Sequence, residues 1–206
     1  MRERAFRVNG GIDPKKMASL VTHPIIPLAV AVVLGRKIVP LSVAAIGVLL
    51  SGLPDADSIA FRFGIPYSSP FGHRGFTHSI GFALFMAVLA SLAMRKTIAH
   101  HFAVFIFLFV SILSHGLLDA FTSQGNDVAF LWPFSDTRFF FPFHPVEASP
   151  LSVKRFFTRR GFEILSSEAK WVWAPCIAFA VFGFFMRKRF GANSAFKADV
   201  AKTTRR

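Results

Sequence analysis

The chain has 206 residues, of which 53% are hydrophobic and 27 are Phe, and its mean hydropathy is +0.49. This composition excludes an ordinary soluble domain and predicts one compact integral membrane unit. The single cysteine, Cys176, excludes an internal disulfide and a multi-cysteine zinc site, so His, Asp and Glu remain the candidate metal ligands.

The net charge of +13 lies largely in clusters beside apolar segments, such as 36–37, 95–96 and 187–189. Each basic residue in such a cluster contributes about 1 kcal/mol to binding at an anionic membrane surface. They do not form the interleaved basic and aromatic surface of a nucleic-acid binder. The lipid bilayer is therefore the expected partner, and nucleic-acid binding is disfavoured.

The first two apolar segments predict a helical hairpin. Residues 1–16 are polar and basic, and because they lack an apolar core, no cleavable signal peptide is predicted. Helices are predicted over Leu20–Leu34 and Ile38–Leu53, separated by the basic turn 35–37. A single helix across both would be about 50 Å long, which exceeds a hydrocarbon core of about 30 Å. Two short helices, tilted or partly re-entrant, are therefore favoured.

Three further helices are predicted over Ile80–Met94, Phe102–Phe121 and Trp171–Met186. Residues 58–75, which are rich in Gly, Pro and Ser, are predicted to form a loop. The fold class is an all-α polytopic membrane bundle of about four to five apolar helices.

The remaining segments flank this bundle. Residues 122–169 combine aromatic side chains with prolines, which indicates a segment lying on the membrane surface. The basic tail 187–206 is predicted to be disordered. The membrane domain then covers residues 17–186, between the polar segment 1–16 and this tail.

Acid and histidine side chains stand at the ends of the predicted helices. Alternating spans bring these ends to one face of the bundle, where an ionisable group costs several kcal/mol unless it is paired, hydrated or bound to a cation. The pattern predicts a metal site at the membrane surface, built from His23, Asp55, Asp57, His73, His78, His115 and Asp119.

Two pairs of residues favour a cation. His115 and Asp119 share a helical face at i,i+4 spacing, although a plain His–Asp hydrogen bond near a helix end explains the spacing equally well. Asp55 and Asp57 follow Pro54 in a predicted turn, and two carboxylates held this close are stabilised by a cation. The alternative for the acids is an Asx-type helix stop.

The segment between His73 and His78 supplies further candidates. Neutral imidazoles suit zinc, nickel or iron, and Gly75 allows a tight bend between them. Arg74 can clamp a phosphate or carboxylate oxygen, with a headgroup anchor as the alternative. His23 is a weaker candidate ligand. His144, Glu147 and Glu168 lie on the same face and are candidates for additional ligands or for groups around the ligands. The alternative for each is a position in a solvated loop.

These motifs together resemble those of the membrane-bound metal-dependent hydrolases, also described as LexA-binding, inner-membrane-associated hydrolases. The shared features are His23, the runs 54–57, 73–79 and 114–119, and the segment 131–134. The resemblance covers roughly residues 17–186 and implies a bacterial or archaeal inner-membrane protein with metal-dependent hydrolytic activity. A looser similarity of the His-x-x-x-Asp spacing links the chain to the helical zinc-dependent phospholipase C group, although a clear second His-x-x-x-Glu is absent.

The expected function is therefore hydrolysis of a phosphoester or ester of a lipid or lipid-linked substrate, with one or two zinc ions, or manganese or iron, as cofactor. Arg74 and Asp57 are the expected catalytic residues, and Arg74 would stabilise developing negative charge. The alternatives are a metal transporter or sensor and a regulatory scaffold that recruits a soluble protein. Basic residues on both faces leave the orientation in the membrane open.

Overall fold

The computed structural model describes residues 16–17, 21–123, 127–139, 141–150 and 158–203. Within this part of the chain the fold is a helical bundle, as predicted, and the regular strands are two residues long: β1 (Lys16–Met17) pairs antiparallel with β2 (Ser149–Pro150). The α-helices are α1 (Ile25–Leu34), α2 (Leu41–Ser51), α3 (Ile80–Ala93), α4 (His101–Ala120), α5 (Arg159–Glu168) and α6 (Ala174–Thr203).

Helices α1 and α2 form the predicted hairpin. Gly35 ends α1 with a φ of 76° and donates its N–H to the carbonyl of Ala31. A positive φ of this kind carries little steric cost for glycine, which explains its place at the bend. The guanidinium of Arg187 covers the same helix end, because it donates to the carbonyls of Val32 and Val33. The last turn of α1 is thereby tied to α6.

A 3-10 helix, Leu53–Phe63, follows α2 where the sequence predicted first a turn and then a loop. Pro54 occupies the first turn of this helix, where its missing N–H removes no helical hydrogen bond. Proline therefore starts a new helical segment here and does not release the chain. The prediction of a loop is wrong up to Phe63, and Gly64, with a φ of 71°, ends the 3-10 helix.

Helix α3 begins after a short 3-10 turn, Phe76–His78. Ser79 caps it, since its hydroxyl accepts a hydrogen bond from the N–H of Phe82 at 3.0 Å. Helices α2, α3 and α4 then pack around a common core whose buried members include Val43, Ala87 and Phe107. Because these buried side chains come from three helices, their packing fixes the distances between the helices and therefore the positions of the helix ends.

The C-terminal part differs from the prediction in two places. Residues 159–168, predicted as part of a proline-interrupted segment lying on the membrane surface, form the regular helix α5, in which buried Gly161, Ile164 and Glu168 recur at a helical spacing. A π-helical turn, Ala169–Trp173, joins α5 to α6, and α6 continues to Thr203 through much of the tail that was expected to be disordered. Both changes lengthen the last helical element.

Among the residues that the structure describes, three helical stretches are long and apolar enough to cross a membrane: Leu41–Phe63, His101–Ala120 and Arg159–Phe190. Helices α1 and α3 are also apolar but shorter, with 10 and 14 residues. The molecule therefore combines full-length spans with two short helices.

Gly47 allows the close approach of α2 to α4. A Cβ at this position would lie 2.5 Å from a ring carbon of Phe107. We expect Gly47→Leu to lower the free energy of unfolding by about 1–3 kcal/mol, because overpacking must push the helices apart. The matched control is Ala45→Leu on the exposed side of α2. Thermal unfolding in detergent measures both, and equal midpoints would contradict this packing.

Candidate metal centre

The ends of four helical segments bring the predicted site residues together on one face of the bundle. His23 precedes α1, Asp55 and Asp57 lie in the 3-10 helix after α2, His73 and His78 precede α3, and His115 and Asp119 lie in the last turns of α4. Residues from four segments thus converge although up to 96 positions separate them in the sequence.

The first group of candidate ligands contains Asp55, His78, His115 and Asp119. Each offers one nitrogen or oxygen, and these four atoms lie within 4.8 Å of one another. His78 Nε2 is 3.3 Å from Asp119 Oδ2, and His115 Nε2 is 3.2 Å from Asp55 Oδ1. Asp55 is the most accessible of the four, with 11% side-chain exposure. Two imidazole nitrogens and two carboxylates are a ligand set that zinc binds.

The backbone orients the ring of His115. Its Nδ1 lies 2.7 Å from the carbonyl oxygen of Ser51, to which it can only donate. In the neutral ring, Nε2 then carries a lone pair that faces the carboxylates of Asp55 and Asp119. Lone pairs and negative oxygens repel one another unless a cation lies between them. A histidine that donates one N–H to a carbonyl and offers its other nitrogen to a cation is the usual arrangement of a metal ligand.

The second group contains Asp57, His73 and His78. His73 Nδ1 lies 2.6 Å from Asp57 Oδ1, while His73 Nε2 is buried without a hydrogen-bond partner. The hydroxyl of Thr77 donates to Asp57 Oδ2 at 2.5 Å, and the N–H of Arg74 donates to the same oxygen at 3.2 Å. Asp57 therefore orients His73 and is itself held by two donors.

His78 belongs to both groups because its ring lies between two carboxylates. Its Nδ1 is 3.2 Å from Asp57 and its Nε2 is 3.3 Å from Asp119. Burial alone would lower the pKa of His78, but its hydrogen bonds to Asp119 and Asp57 raise it to about 9. A positive charge between these carboxylates is therefore favoured, whether it is carried by a proton or by a metal ion.

Arg74 lies inside the site and not at its surface. Its side chain is fully buried, its Nε lies 3.1 Å from Asp119 Oδ2, and its terminal NH2 donates to the hydroxyl of Thr122 at 3.1 Å. The headgroup-anchor interpretation is wrong, because a buried guanidinium cannot reach lipid headgroups. The backbone of Arg74 adopts a φ of 61°, which is costly for a residue with a side chain.

The loop before α3 is built to hold that conformation. Arg138 donates to several backbone carbonyls of this loop and to that of Asp127. Gly75 lies so close to Pro70 that a Cβ would come 2.1 Å from its carbonyl oxygen. The tight bend that was expected at Gly75 is confirmed. The carbonyls that accept from Arg138 are those of Tyr67, Ser69, His73, Arg74 and Asp127.

His23 lies beside the first group, although it is not one of its members. Its ring stacks on that of His115 with centroids 3.8 Å apart, and both of its nitrogens are buried without a hydrogen-bond partner. Burial lowers the pKa of His23 to about 3, so the ring stays neutral. A neutral, buried imidazole keeps a lone pair that a cation or a bound substrate can use.

Glu168 supports the turn that carries His23. Its fully buried carboxylate accepts a hydrogen bond from the hydroxyl of Thr22 at 2.8 Å, and Thr22 in turn accepts from Trp173 Nε1 at 3.0 Å. The solvated-loop position weighed for Glu168 is therefore wrong. Little in the sequence indicates this role, because the π turn that follows Glu168 has no clear sequence pattern.

Other polar residues stay outside the cluster. Glu147 forms an ion pair with Arg160 at 2.6 Å on the surface, and His144 is half-buried. His100 and His101 are exposed at the opposite end of α4. Sequence reasoning missed the groups that orient the ligands, namely the carbonyl of Ser51 and the hydroxyls of Thr77 and Thr122.

Comparison with known proteins places the chain in a family of inner membrane proteins. The family model described as "YdjM inner membrane protein" matches residues 17–190. The chain is also similar to the "Inner membrane protein YbcI" of Escherichia coli (strain K12), with 41% identity over 160 residues, which cover 77% of this chain and 92% of that protein. No solved structure matches the chain. An inner-membrane location thus follows from both the family and the apolar spans.

His115 and His101 lie on the same helix and allow a matched test of the cluster. We expect His115→Ala to abolish retention of a divalent metal, because the group loses one of its four ligands. His101→Ala should retain the metal, since its side chain is exposed at the far end of α4. Mass spectrometry of metal in the detergent-purified proteins measures both, and equal metal content would contradict the assignment of His115.

Arg74 is expected to stabilise Asp119 in the fold. Arg74→Met keeps much of the side-chain volume but leaves a buried carboxylate without its guanidinium, a change that costs about 3–5 kcal/mol. A divalent cation can replace part of the lost charge, so added zinc should raise the unfolding midpoint of the variant more than that of the unchanged protein. Thermal unfolding with and without zinc measures this, and a variant of unchanged stability would contradict the role.

Proposed function

The chain belongs to the YdjM inner membrane protein family, and we propose that it is a metal-dependent hydrolase that cleaves a phosphoester or ester of a lipid or lipid-linked substrate. One observation carries the proposal: the side chains of Asp55, His78, His115 and Asp119 offer four ligand atoms within 4.8 Å of one another. Buried acids and histidines that converge from separate helix ends are candidates for a functional site, and a bound cation would compensate their negative charge.

The ligand set favours zinc, with manganese or iron as alternatives. Buried atoms that lack hydrogen-bond partners support the fit of a metal ion to this site, among them Asp55 Oδ2 and both nitrogens of His23. We propose one ion in the first group. His78 has a single lone pair in its neutral form, so it cannot serve both groups at once. Asp57 and His73 would then support the ion from outside its ligand shell.

A bound divalent cation lowers the pKa of a water molecule and polarises a phosphoryl or acyl oxygen. The residues of the chain supply the remaining functions. Asp57 orients His73 through Nδ1, which leaves His73 Nε2 as a buried proton acceptor. Arg74 holds Asp119 in place. Its buried guanidinium also lies close enough to the cluster to offset negative charge that develops during the reaction.

The depth of the cluster favours a lipid substrate. Helices α1 and α3, with 10 and 14 residues, are about 15 and 21 Å long, and both run from the cluster to a basic turn. A hydrocarbon core is about 30 Å thick. Helix α4 starts near the same basic surface, and the rise from His101 to Asp119 is about 27 Å. The cluster therefore extends from the middle of the hydrocarbon core towards the opposite surface, where lipid ester groups lie. Water-soluble substrates would have poorer access to such a site.

The rival functions predict other outcomes. A transporter holds its ion near the bilayer midplane, between broken helices, whereas these ligands lie at helix ends. A sensor or scaffold, including one that recruits a soluble regulatory protein, would bind without bond cleavage. Metal uptake into vesicles without hydrolysis would favour the transporter.

The central experiment measures metal content and hydrolysis on the same detergent-purified samples. We expect stoichiometric metal in the unchanged protein, and His78→Ala and Asp119→Ala should lose it together with hydrolysis of phospholipids and lipid-linked phosphates. His73→Gln should keep the metal while its rate falls by about 10²–10⁴-fold, because a general base is lost.

The controls separate folding from chemistry. Thermal unfolding and size-exclusion profiles show which variants are folded, and removal of metal by a chelator followed by zinc addition should restore hydrolysis. Well-folded protein that binds no metal after reconstitution would overturn the proposal. A metal-loaded protein that leaves a broad panel of lipid esters and phosphoesters intact would overturn the hydrolytic part.

A further inference from the structure

Tyr67, the single tyrosine of the chain, lies in the loop before α3 with its polar end buried. Its neighbours Pro66 and Ser68 are exposed, whereas its hydroxyl has no hydrogen-bond partner among the residues that the structure describes. A tyrosine near a surface usually buries its ring and keeps its hydroxyl in water, and a buried hydroxyl usually has a partner. Because Tyr67 departs from both rules, its hydroxyl is a candidate for binding a group that the chain itself does not supply.

Three neighbours hold the ring of Tyr67 in place. The guanidinium of Arg138 lies 5.6 Å from the ring centroid, and it also donates to the backbone carbonyl of Tyr67 at 3.0 Å. The ring of His73 meets that of Tyr67 edge to face with centroids 5.5 Å apart, and the ring of Phe61 packs at 6.2 Å. The fold therefore fixes the position of the hydroxyl, as a group that binds a ligand requires.

The hydroxyl of Tyr67 lies beside the candidate metal centre. Its ring contacts His73, a member of the second group of ligands. Burial raises the pKa of Tyr67, so the hydroxyl keeps its proton at neutral pH and stays a donor. Among the charges that act on it, the positive charge of Arg74 is the largest and outweighs the opposing charge of Asp119. The hydroxyl thus has a proton to donate in surroundings that favour negative charge.

These surroundings favour an anionic oxygen as the ligand. A hydrogen bond to a charged oxygen is shorter and stronger than one between neutral groups. A phosphoryl group has several such oxygens, so one can face the metal cluster while another accepts from Tyr67. A carboxylic ester offers a single carbonyl oxygen and cannot make both contacts equally well.

We propose that the hydroxyl of Tyr67 donates a hydrogen bond to a phosphoryl oxygen of the substrate. The proposal rests on the proposed function and narrows it, because it selects a phosphoester over a carboxylic ester. Tyr67 is then a substrate-binding residue that determines specificity. His73, which its ring contacts, accepts the proton during hydrolysis.

The single tyrosine allows a measurement at this one side chain. The full chain is produced with fluorotyrosine, purified in detergent and loaded with zinc, and its fluorine NMR resonance is followed while inorganic phosphate is added. We expect a shift that saturates with phosphate. Tyr67→Phe removes only the hydroxyl and should weaken phosphate binding, measured by calorimetry, about 10- to 100-fold, because a hydrogen bond to a charged group is lost. The metal content of the variant should stay the same.

Ser91→Ala provides the matched control. The hydroxyl of Ser91 is also buried without a hydrogen-bond partner in the described part of the chain, but it lies in the last turn of α3, at the end away from the cluster. Its removal should leave the phosphate affinity and the fluorine resonance unchanged. Thermal unfolding shows that both variants are folded.

The outcomes separate the two proposals. A resonance that does not respond to phosphate, or a folded and metal-loaded Tyr67→Phe variant that binds phosphate as tightly as the unchanged protein, would overturn the role of Tyr67 and leave the metal centre intact. Faster hydrolysis of carboxylic esters than of phosphoesters would also overturn it. Phosphate binding that depends on Tyr67, in a protein that cleaves no lipid ester or phosphoester, would count against the proposed function alone.

Discussion

The carboxylate of Asp119 is the group on which the site depends. It is fully buried at the end of α4, with Arg74 Nε at 3.1 Å and His78 Nε2 at 3.3 Å, while His115 Nε2 approaches to 3.8 Å. A buried charge costs several kcal/mol unless other charges and hydrogen bonds compensate it. The segment before α3 and the end of α4 must therefore meet at one point, and this requirement fixes how these helix ends lie relative to one another.

The surrounding structure shows how that requirement is met. The loop before α3 holds Arg74 in a left-handed conformation through the carbonyls that Arg138 binds, and Asp57 accepts the N–H of the same residue. The carbonyl of Ser51, at the end of α2, orients His115. Helices α2, α3 and α4, which pack around the common core, thus each end or begin next to one part of the site. The apolar packing of these helices therefore sets the positions of the candidate ligands.

The sequence predicted the parts of the site that follow from regular periodicity. The i,i+4 spacing of His115 and Asp119 and the position of the acids and histidines at helix ends were enough to bring them to one face. The sequence could not separate Asp55 from Asp57, because a 3-10 helix and a turn both accept Pro54. It also could not pair Arg74 with Asp119 or Thr22 with Glu168, since such contacts depend on how distant segments pack.

The 10 residues of α1 have a consequence for the membrane itself. A bilayer beside such a helix must thin, or the molecule must tilt, and each ångström of mismatch costs a fraction of a kcal/mol. Helix α4, with 20 residues, matches the usual thickness. Helix α3, with 14 residues, imposes the same kind of mismatch as α1 where it faces the membrane. Shorter-chain lipids fit best beside these two helices, so the thickness and composition of the host membrane influence where the protein resides.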